Sequence, residues 1–273
     1  MRRFDPFRAA VRYPQMLWAG TALGGTIAMA MAVSGNTSLE QFWASLLDPQ
    51  TLSQWAPALT APFVEEAAKL VCAAVILVLC APVCTRISHA LLVGMFVGFG
   101  FDVVEDLSYA TVGALTSLDS DVSGALGQLI VRALTSVPSH WAFTSLTTVG
   151  LLLLLPSFSN PDGWTARRRT LMAVGLLIAG PLMHFVWNAP VPDEAVFTLA
   201  KFVFNLALFL TVTVLLLRAE RRWVVAHSDK AIRAGFPADL VESLPTRRSR
   251  RRMSGRRQDV RRLQRAALDA IQA

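Results

Sequence analysis

The chain contains 273 residues, of which 53% are hydrophobic and 16% are charged, and its mean hydropathy is +0.46. This composition excludes a soluble globular domain and indicates an all-α protein that crosses a membrane several times. The net charge is +7, and 14 of the 26 basic residues follow Arg218, so positive charge is concentrated in the C-terminal tail.

Six apolar stretches are long enough to cross about 30 Å of hydrocarbon, which takes about 20 residues. The predicted spans are 16–34, 57–83, 88–113, 127–156, 169–190 and 195–218. The first also has features of a signal peptide, but its long apolar run favours a retained anchor. Residues 1–218 are therefore the predicted transmembrane helix bundle of a multi-pass protein in the cell membrane.

Basic and acidic connections alternate along the chain, which predicts that both termini are cytoplasmic. Four segments are basic: the N-terminal segment, the connection containing Arg86, the connection containing residues 167–169, and the tail. The other connections are acidic and contain Glu40 and Asp48, Asp119 and Asp121, and Asp193 and Glu194.

Residues 219–273 form the predicted cytoplasmic tail. Within it, 244–262 contain too little apolar surface to fold alone, so we expect partial disorder. Val260 to Ile271 have the spacing of a short amphipathic helix. We expect the tail to lie on anionic lipid headgroups, which contribute about 1 kcal/mol for each basic side chain near the surface. Nucleic-acid binding is the weaker alternative, because retention on the inner side already explains a basic tail.

Ionisable residues inside the predicted spans are the main indication of function, since each costs roughly 2.5–3.5 kcal/mol at the middle of a bilayer. At about 1.5 Å of rise per residue, the acids and histidines in four spans lie roughly 9 to 20 Å below the outer boundary. Their matched depth predicts one shared polar site. The residues are Glu65, Glu66 and Lys69, Glu105 and Asp106, Arg132 and His140, and His184 and Asn188.

Helical spacing supports the same interpretation. Lys69 lies three or four residues after the two glutamates and can neutralise either one. Arg132, Ser136 and His140 have the spacing of a polar ladder on one helix, which Pro138 is expected to bend. Gly94 and Gly98 form a small-xxx-small surface, where the backbone of another helix can approach closely.

The order of these motifs resembles that of the PrsW family of intramembrane proteases, which is similar to the CAAX-processing and bacteriocin-processing membrane endopeptidases. The chain has EEAAK at 65–69, GFGFDVVED at 98–106, His140 in the next span and HFVWN at 184–188. Asp106 replaces the asparagine that is usual in the family. The resemblance covers about residues 60–190 and implies proteolysis of membrane-associated proteins, with membrane-anchored anti-sigma factors as one substrate class.

Our hypothesis is that an endopeptidase site lies near the outer face. His140, His184 and Glu105 would hold a metal, with zinc expected because three protein ligands and a water are usual for catalytic zinc. Glu65 would be the general base, and Glu66 a fourth ligand or a hydrogen-bonding partner. Asn188 could stabilise the oxyanion.

The remaining candidate residues would support this site. Lys69 and Arg132 would be counter-ions for the acids, and Asp106 would lie beside Glu105.

Three alternatives remain open at this point. A glutamate and a histidine could activate water without a metal, and no HExxH motif is present to decide between the two mechanisms. A proton- or ion-coupled transporter would also need intramembrane acids and histidines. It predicts polar groups across the full membrane depth and two similar halves, neither of which is evident. A scaffold acting through the basic tail is the third alternative.

Overall fold

We describe a computed structural model of the chain for residues 4–10, 13–135, 137–160, 163–192 and 194–272. Every regular element in these ranges is a helix. The helices are α1 (Pro14–Leu23), continued by a π-helical turn (Gly24–Ala28) and α2 (Met29–Ala44), α3 (Pro49–Leu79), α4 (Ile87–Thr116), α5 (Asp121–Thr135), α6 (His140–Leu154), α7 (Ala166–Asn188), α8 (Ala195–Ala226), α9 (Asp229–Arg233), α10 (Ala238–Ser243), α11 (Arg247–Arg252) and α12 (Arg257–Gln272).

The predicted all-helical membrane fold is confirmed, whereas the predicted count of six spans is not. Four stretches among the described residues are long and apolar enough to cross a membrane: Pro14–Ala44, Ile87–Thr116, Ala166–Asn188 and Ala195–Arg233. α3 is 31 residues long but contains Glu65, Glu66 and Lys69. α6 is apolar but has only 15 residues.

The predicted span 127–156 is wrong, because this segment contains two helices. α5 ends at Thr135 and α6 begins at His140, with Pro138 between them. Proline has no backbone N–H and disfavours a helical residue before it, so the expected bend is a complete break. The predicted polar ladder is lost as well: Arg132 and His140 lie on different helices, and Ser136 lies outside the described residues.

Close packing around α6 sets the position of the polar cluster. A Cβ added to Gly98 of α4 would lie 2.3 Å from the backbone oxygen of His140. One added to Gly94 would lie 2.5 Å from the backbone oxygen of Thr144. The predicted close approach of a helix to this small-xxx-small surface is therefore confirmed, and the helix is α6. On its other side, α6 packs as closely on α7, where Gly180 approaches the backbone oxygen of Phe143.

Both ends of the described chain lie on the same side of the bundle. Phe7 packs in a small apolar core with tail residues that include Leu240 and Ile271. Gln272 Nε2 donates a hydrogen bond to the backbone oxygen of Phe7 at 2.6 Å. α12 covers the segment predicted as an amphipathic helix and buries Ala267 and Ile271 in this core. The cytoplasmic location of the two ends stays a prediction.

Candidate active site

Five ionisable side chains from three helices meet inside the bundle. α3 supplies two acids and a lysine, the first turn of α6 supplies one imidazole, and α7 supplies the other, four residues before its end. Each residue is at most 6% exposed. The residues are Glu65, Glu66, Lys69, His140 and His184.

Lys69 is fully buried at the centre of this cluster. Its Nζ lies 2.6 Å from Glu66 Oε1, 2.6 Å from His140 Nδ1 and 3.8 Å from Glu65 Oε2. The ammonium also lies 4.3 Å from the centroid of the Phe101 ring, which gives it a cation–π contact. Its predicted role as a counter-ion agrees with these contacts, since a buried carboxylate needs a paired charge.

Both carboxylate oxygens of Glu66 have partners. Thr144 Oγ1 donates to Oε2 at 3.1 Å, and His184 Nδ1 lies 3.2 Å from Oε1, where it can donate. With Nδ1 as the donor, Nε2 of a neutral His184 keeps a lone pair that can accept a hydrogen bond or bind a metal. Phe143 stacks on the His184 ring and fixes its plane.

Glu65 differs from Glu66 in having one oxygen that accepts no hydrogen bond from the described residues, although Lys69 Nζ lies 3.8 Å from it. Asn36 Nδ2 donates to Oε1 at 2.9 Å. Oε2 is buried and has no hydrogen-bond partner among the described residues. It lies 3.9 Å from His140 Nδ1 and 4.0 Å from His184 Nε2. This oxygen is thus the part of the cluster best placed to bind a group that the protein itself does not supply.

Glu105 lies on the other side of His140, away from this oxygen. Its Oε2 is 3.1 Å from His140 Nε2 and also accepts a hydrogen bond from Arg132 of α5. Arg132 pairs with Asp106 through its Nε as well. The structure therefore joins Glu105, Asp106 and Arg132 in an ion-pair network that contacts the cluster through His140.

The backbone near His140 is held by Asp102 of α4. Its Oδ2 accepts hydrogen bonds from Ser139 Oγ at 3.0 Å and from the backbone N–H of Trp141 at 3.2 Å. A carboxylate that receives N–H groups at a helix start caps that helix. Asp102 thereby orients the first turn of α6, in which His140 lies.

Asn188 lies one turn after His184 on α7, as the sequence predicts. Its Nδ2 donates to the backbone oxygen of Pro57 on α3 at 3.1 Å. Among the described contacts it touches neither the carboxylates nor the imidazoles of the cluster. The amide therefore joins the end of α7 to α3 at the edge of the site.

Sequence reasoning missed two polar partners of the glutamates. Asn36 lies in a segment predicted to be a connection, but α2 continues to Ala44 and brings its amide to Glu65. Thr144 is one of many hydroxyl residues in apolar helices, and no motif distinguishes it. Its place one turn after His140 on α6 is the only signal that could have found it.

Comparison with protein families identifies the chain. A model described as PrsW family intramembrane metalloprotease matches residues 13–217. The chain belongs to the PrsW family. The protein is therefore an intramembrane protease in a multi-pass membrane fold, and the resemblance found in the sequence is confirmed. No curated protein and no solved structure matched the chain.

The PrsW family is described as a metalloprotease family, and the residues present fit a metal. Glu65, His140 and His184 each offer a donor atom, and these atoms lie within 4.8 Å of one another. The unpartnered Glu65 Oε2 lies in this group. Two imidazole nitrogens and a carboxylate oxygen are a usual donor set for catalytic metals. In the structure, His140 Nδ1 lies 2.6 Å from Lys69 Nζ, so the ammonium occupies that nitrogen.

Proposed function

We propose that this protein cleaves peptide bonds of membrane-associated proteins near the outer face of the membrane, with Glu65 as the group that activates water. The observation that carries the proposal is the environment of Glu65 Oε2, which is buried, unpartnered among the described residues and within 4.0 Å of a nitrogen from each imidazole. A second acceptor, His184 Nε2, faces it. Two acceptors at this separation can hold one water molecule, which donates to both.

Without a bound metal, Glu65 would accept a proton from the attacking water, and His184 Nε2 would orient the water through its lone pair. A carboxylate positioned as a general base contributes about 10²- to 10⁴-fold to the rate. Asn36 holds the other oxygen of Glu65, so that Oε2 faces the water. Glu66 has three partners, and we assign it to positioning Lys69 and His184.

We assign Glu105 to orienting His140, since its carboxylate is shared between that imidazole and Arg132. This replaces its expected role as a metal ligand. Asp106 holds Arg132 from its other side and so keeps Arg132 beside Glu105. We keep Asn188 as the donor for the oxyanion of the substrate, because it lies on the same helix face as His184, at the open edge of the site.

For the metal implied by the family, we propose zinc held by Glu65, His140 and His184. When bound, it would lower the pKa of a coordinated water to about 7, and Glu65 would then be a ligand instead of the base. Glu65, His140 and His184 form the site in either case, so a variant at Glu65 should lose activity whether or not a metal is bound.

The predicted orientation supports cleavage near the outer face. Ser159, in the connection before α7, accepts a hydrogen bond from Trp223 Nε1, and Trp223 packs in the apolar core at the chain ends. The other end of α7 carries His184 and Asn188. If the chain ends are cytoplasmic, the cluster opens towards the outside of the cell membrane. A membrane-anchored protein such as an anti-sigma factor would meet the site there.

The experiment is a comparison of membrane and secreted proteins between cells that express the wild type and cells that express Glu65→Gln. The exposed Glu40→Gln on α2 is the control, because it removes the same charge away from the cluster. We expect at least one membrane protein to stay uncut with Glu65→Gln and to be cut with Glu40→Gln. Identical fragment patterns in all three strains, at equal protein levels, would overturn the proposal.

The test of the metal is to measure the number of zinc ions per molecule of purified protein. Cleavage activity is measured on the same protein before and after treatment with a chelator. We expect about one zinc per wild-type molecule, reduced at least about fivefold by His184→Ala, which removes one of three ligands. His227→Ala is the control, because His227 lies in the tail segment after α8. Full cleavage by metal-free protein would instead assign the reaction to Glu65 and the imidazoles alone.

A further inference from the structure

A large basic cavity lies far from the catalytic cluster, where the N-terminal segment, the end of α8 and the tail helices meet. Its volume is about 920 Å³. Nine arginines line it together with a single acid, Asp5. Arginines come to it from four segments of the chain, for example Arg8, Arg221 of α8, Arg251 of α11 and Arg261 of α12.

Among the described residues, no ion pair neutralises the positive charge of this cavity. Asp5 already accepts hydrogen bonds from the backbone N–H groups of Ala9 and Ala10, at 2.7 and 3.0 Å. In the part of the chain that the structure describes, none of the nine arginines forms an ion pair with an acid. So many like charges around one space repel one another, and an anion in the space relieves that repulsion.

Two of these arginines are partly withdrawn from water. Arg8 Nε is buried and has no hydrogen-bond partner among the described residues. Its backbone has a positive φ of 60°, which is uncommon for a residue other than glycine and marks a tightly constrained turn. Arg250 is half-buried, and this burial, together with the neighbouring Arg247, lowers the pKa of its guanidinium. Both side chains would gain from an anionic ligand.

The cavity also has an apolar wall. Val214 and Leu217 of α8 line it, one turn or less before Arg218 and Arg221. Because α8 is one of the helices able to cross the membrane, we expect this wall to adjoin the lipid. Arg218 and Arg221 follow the apolar run of α8, which ends at Leu217. The cavity thus joins an apolar surface to a cationic one, which is the pattern that suits an amphiphilic anion.

We propose that this cavity binds the phosphate headgroup of an anionic phospholipid, whose acyl chains lie along α8 at Val214 and Leu217. Guanidinium groups bind phosphate through paired N–H donors, and several of them can surround one headgroup. A bound lipid would also join the N-terminal segment to α8, α11 and α12. This is a defined site, in contrast to the diffuse attraction of a basic tail to a charged surface, and it does not depend on the proposed catalytic mechanism.

The test uses the full-length protein in a neutral detergent, where no charged membrane surface is present. Phosphatidylglycerol or phosphatidylcholine is added, and native mass spectrometry measures the lipid retained. The cavity variant combines Arg221→Gln, Arg251→Gln and Arg261→Gln. The matched control combines Arg222→Gln, Arg252→Gln and Arg262→Gln. Each of these arginines directly follows a mutated one on the same helix, so the control loses the same charge, but none of the three lines the cavity.

We expect the wild type to bind phosphatidylglycerol at least about tenfold more tightly than phosphatidylcholine, since only the former has a net negative headgroup. The cavity variant should lose at least about tenfold in this affinity, and the control should stay within about twofold of the wild type.

Equal losses in the two variants would overturn the proposal in favour of diffuse attraction. Displacement of the lipid by an equal concentration of glycerol phosphate would overturn it in favour of a soluble phosphate ligand. The comparison of the two lipids on the wild type needs no variant, so a lack of preference there contradicts the proposal even if the cavity variant fails to fold.

Discussion

Glu65 and Glu66 are neighbours in the chain, yet their surroundings give them different chemistry. Successive helix residues point about 100° apart. Glu66 consequently faces Lys69, Thr144 and His184, which occupy both of its oxygens. Glu65 turns one oxygen to Asn36 and leaves the other facing the two imidazoles. This contrast is the reason that we propose a chemical role for Glu65 and a structural role for Glu66.

The hydrogen bond from Asn36 gives a prediction about positioning. Asn36→Ala frees the Glu65 carboxylate to rotate, so we expect kcat to fall about tenfold while KM changes less than about twofold. Thr37→Ala, at the next and exposed position, should leave both constants unchanged. An increase in KM at constant kcat would show that Asn36 acts on substrate binding and not on the carboxylate.

The buried charge of Lys69 gives a prediction about stability. Lys69→Met leaves two buried carboxylates without their cation, which should lower the free energy of unfolding by about 3–5 kcal/mol. Chemical denaturation in detergent measures this change. Adding Glu66→Gln to the same chain removes the nearer carboxylate charge and should restore much of the lost stability. If the double variant were as unstable as Lys69→Met, the packing of the lysine would matter more than its charge.

At the scale of the helices, the contact between α4 and α6 sets the position of His140 in the bundle. Gly98 lies against the backbone of His140, so a methyl group there must push α6 away from α4. Gly98→Ala is expected to lower the free energy of unfolding by about 1–3 kcal/mol, as overpacking does elsewhere, and to reduce cleavage. Gly175→Ala on α7 is the control, since an added Cβ meets nothing there within 4 Å. A neutral Gly98→Ala would contradict the close contact.

Much of the candidate catalytic cluster was predictable from the sequence, because charges and imidazoles are costly in lipid and so few of them are present. Glu65, Glu66, Lys69, His140 and His184 were found in this way. The pairing of Lys69 with the glutamates was also predicted, but their hydrogen bonds with Asn36 and Thr144 were not, since the depth of a residue in a span does not identify its partner. Glu105 was expected beside both histidines, but Arg132 draws its carboxylate to the other side of His140.

Helix boundaries were harder to predict than helix content. Apolar composition continues across 127–156, so hydropathy gives one span where the structure has α5, a break and α6. The opposite error concerns α2, where polar residues 36–40 suggested a connection although the helix continues. In both cases packing decides the boundary, because helix propensity is a weak local preference that tertiary contacts override.

For the whole molecule, both chain ends lie on one face, so labelling one cysteine on each face tests the orientation of the protein in the membrane. In a chain whose three cysteines are replaced, we expect Ser120→Cys, between α4 and α5, to react with an impermeant maleimide on intact cells. Ser254→Cys, in the tail, should react only after the membrane is opened. Both serines are exposed, so access alone decides the result. The reverse labelling pattern would place the chain ends outside and contradict the predicted orientation.

The central claim is that Glu65 activates the water at a site shared with His140 and His184. Its most direct test is the rate of cleavage, in proteoliposomes, of the membrane protein that accumulates uncut with Glu65→Gln. At equal amounts of folded enzyme, we expect Glu65→Gln to be at least about 10³-fold slower than the wild type and Glu40→Gln to be within about twofold of it. A Glu65→Gln rate within about tenfold of the wild type would contradict the account.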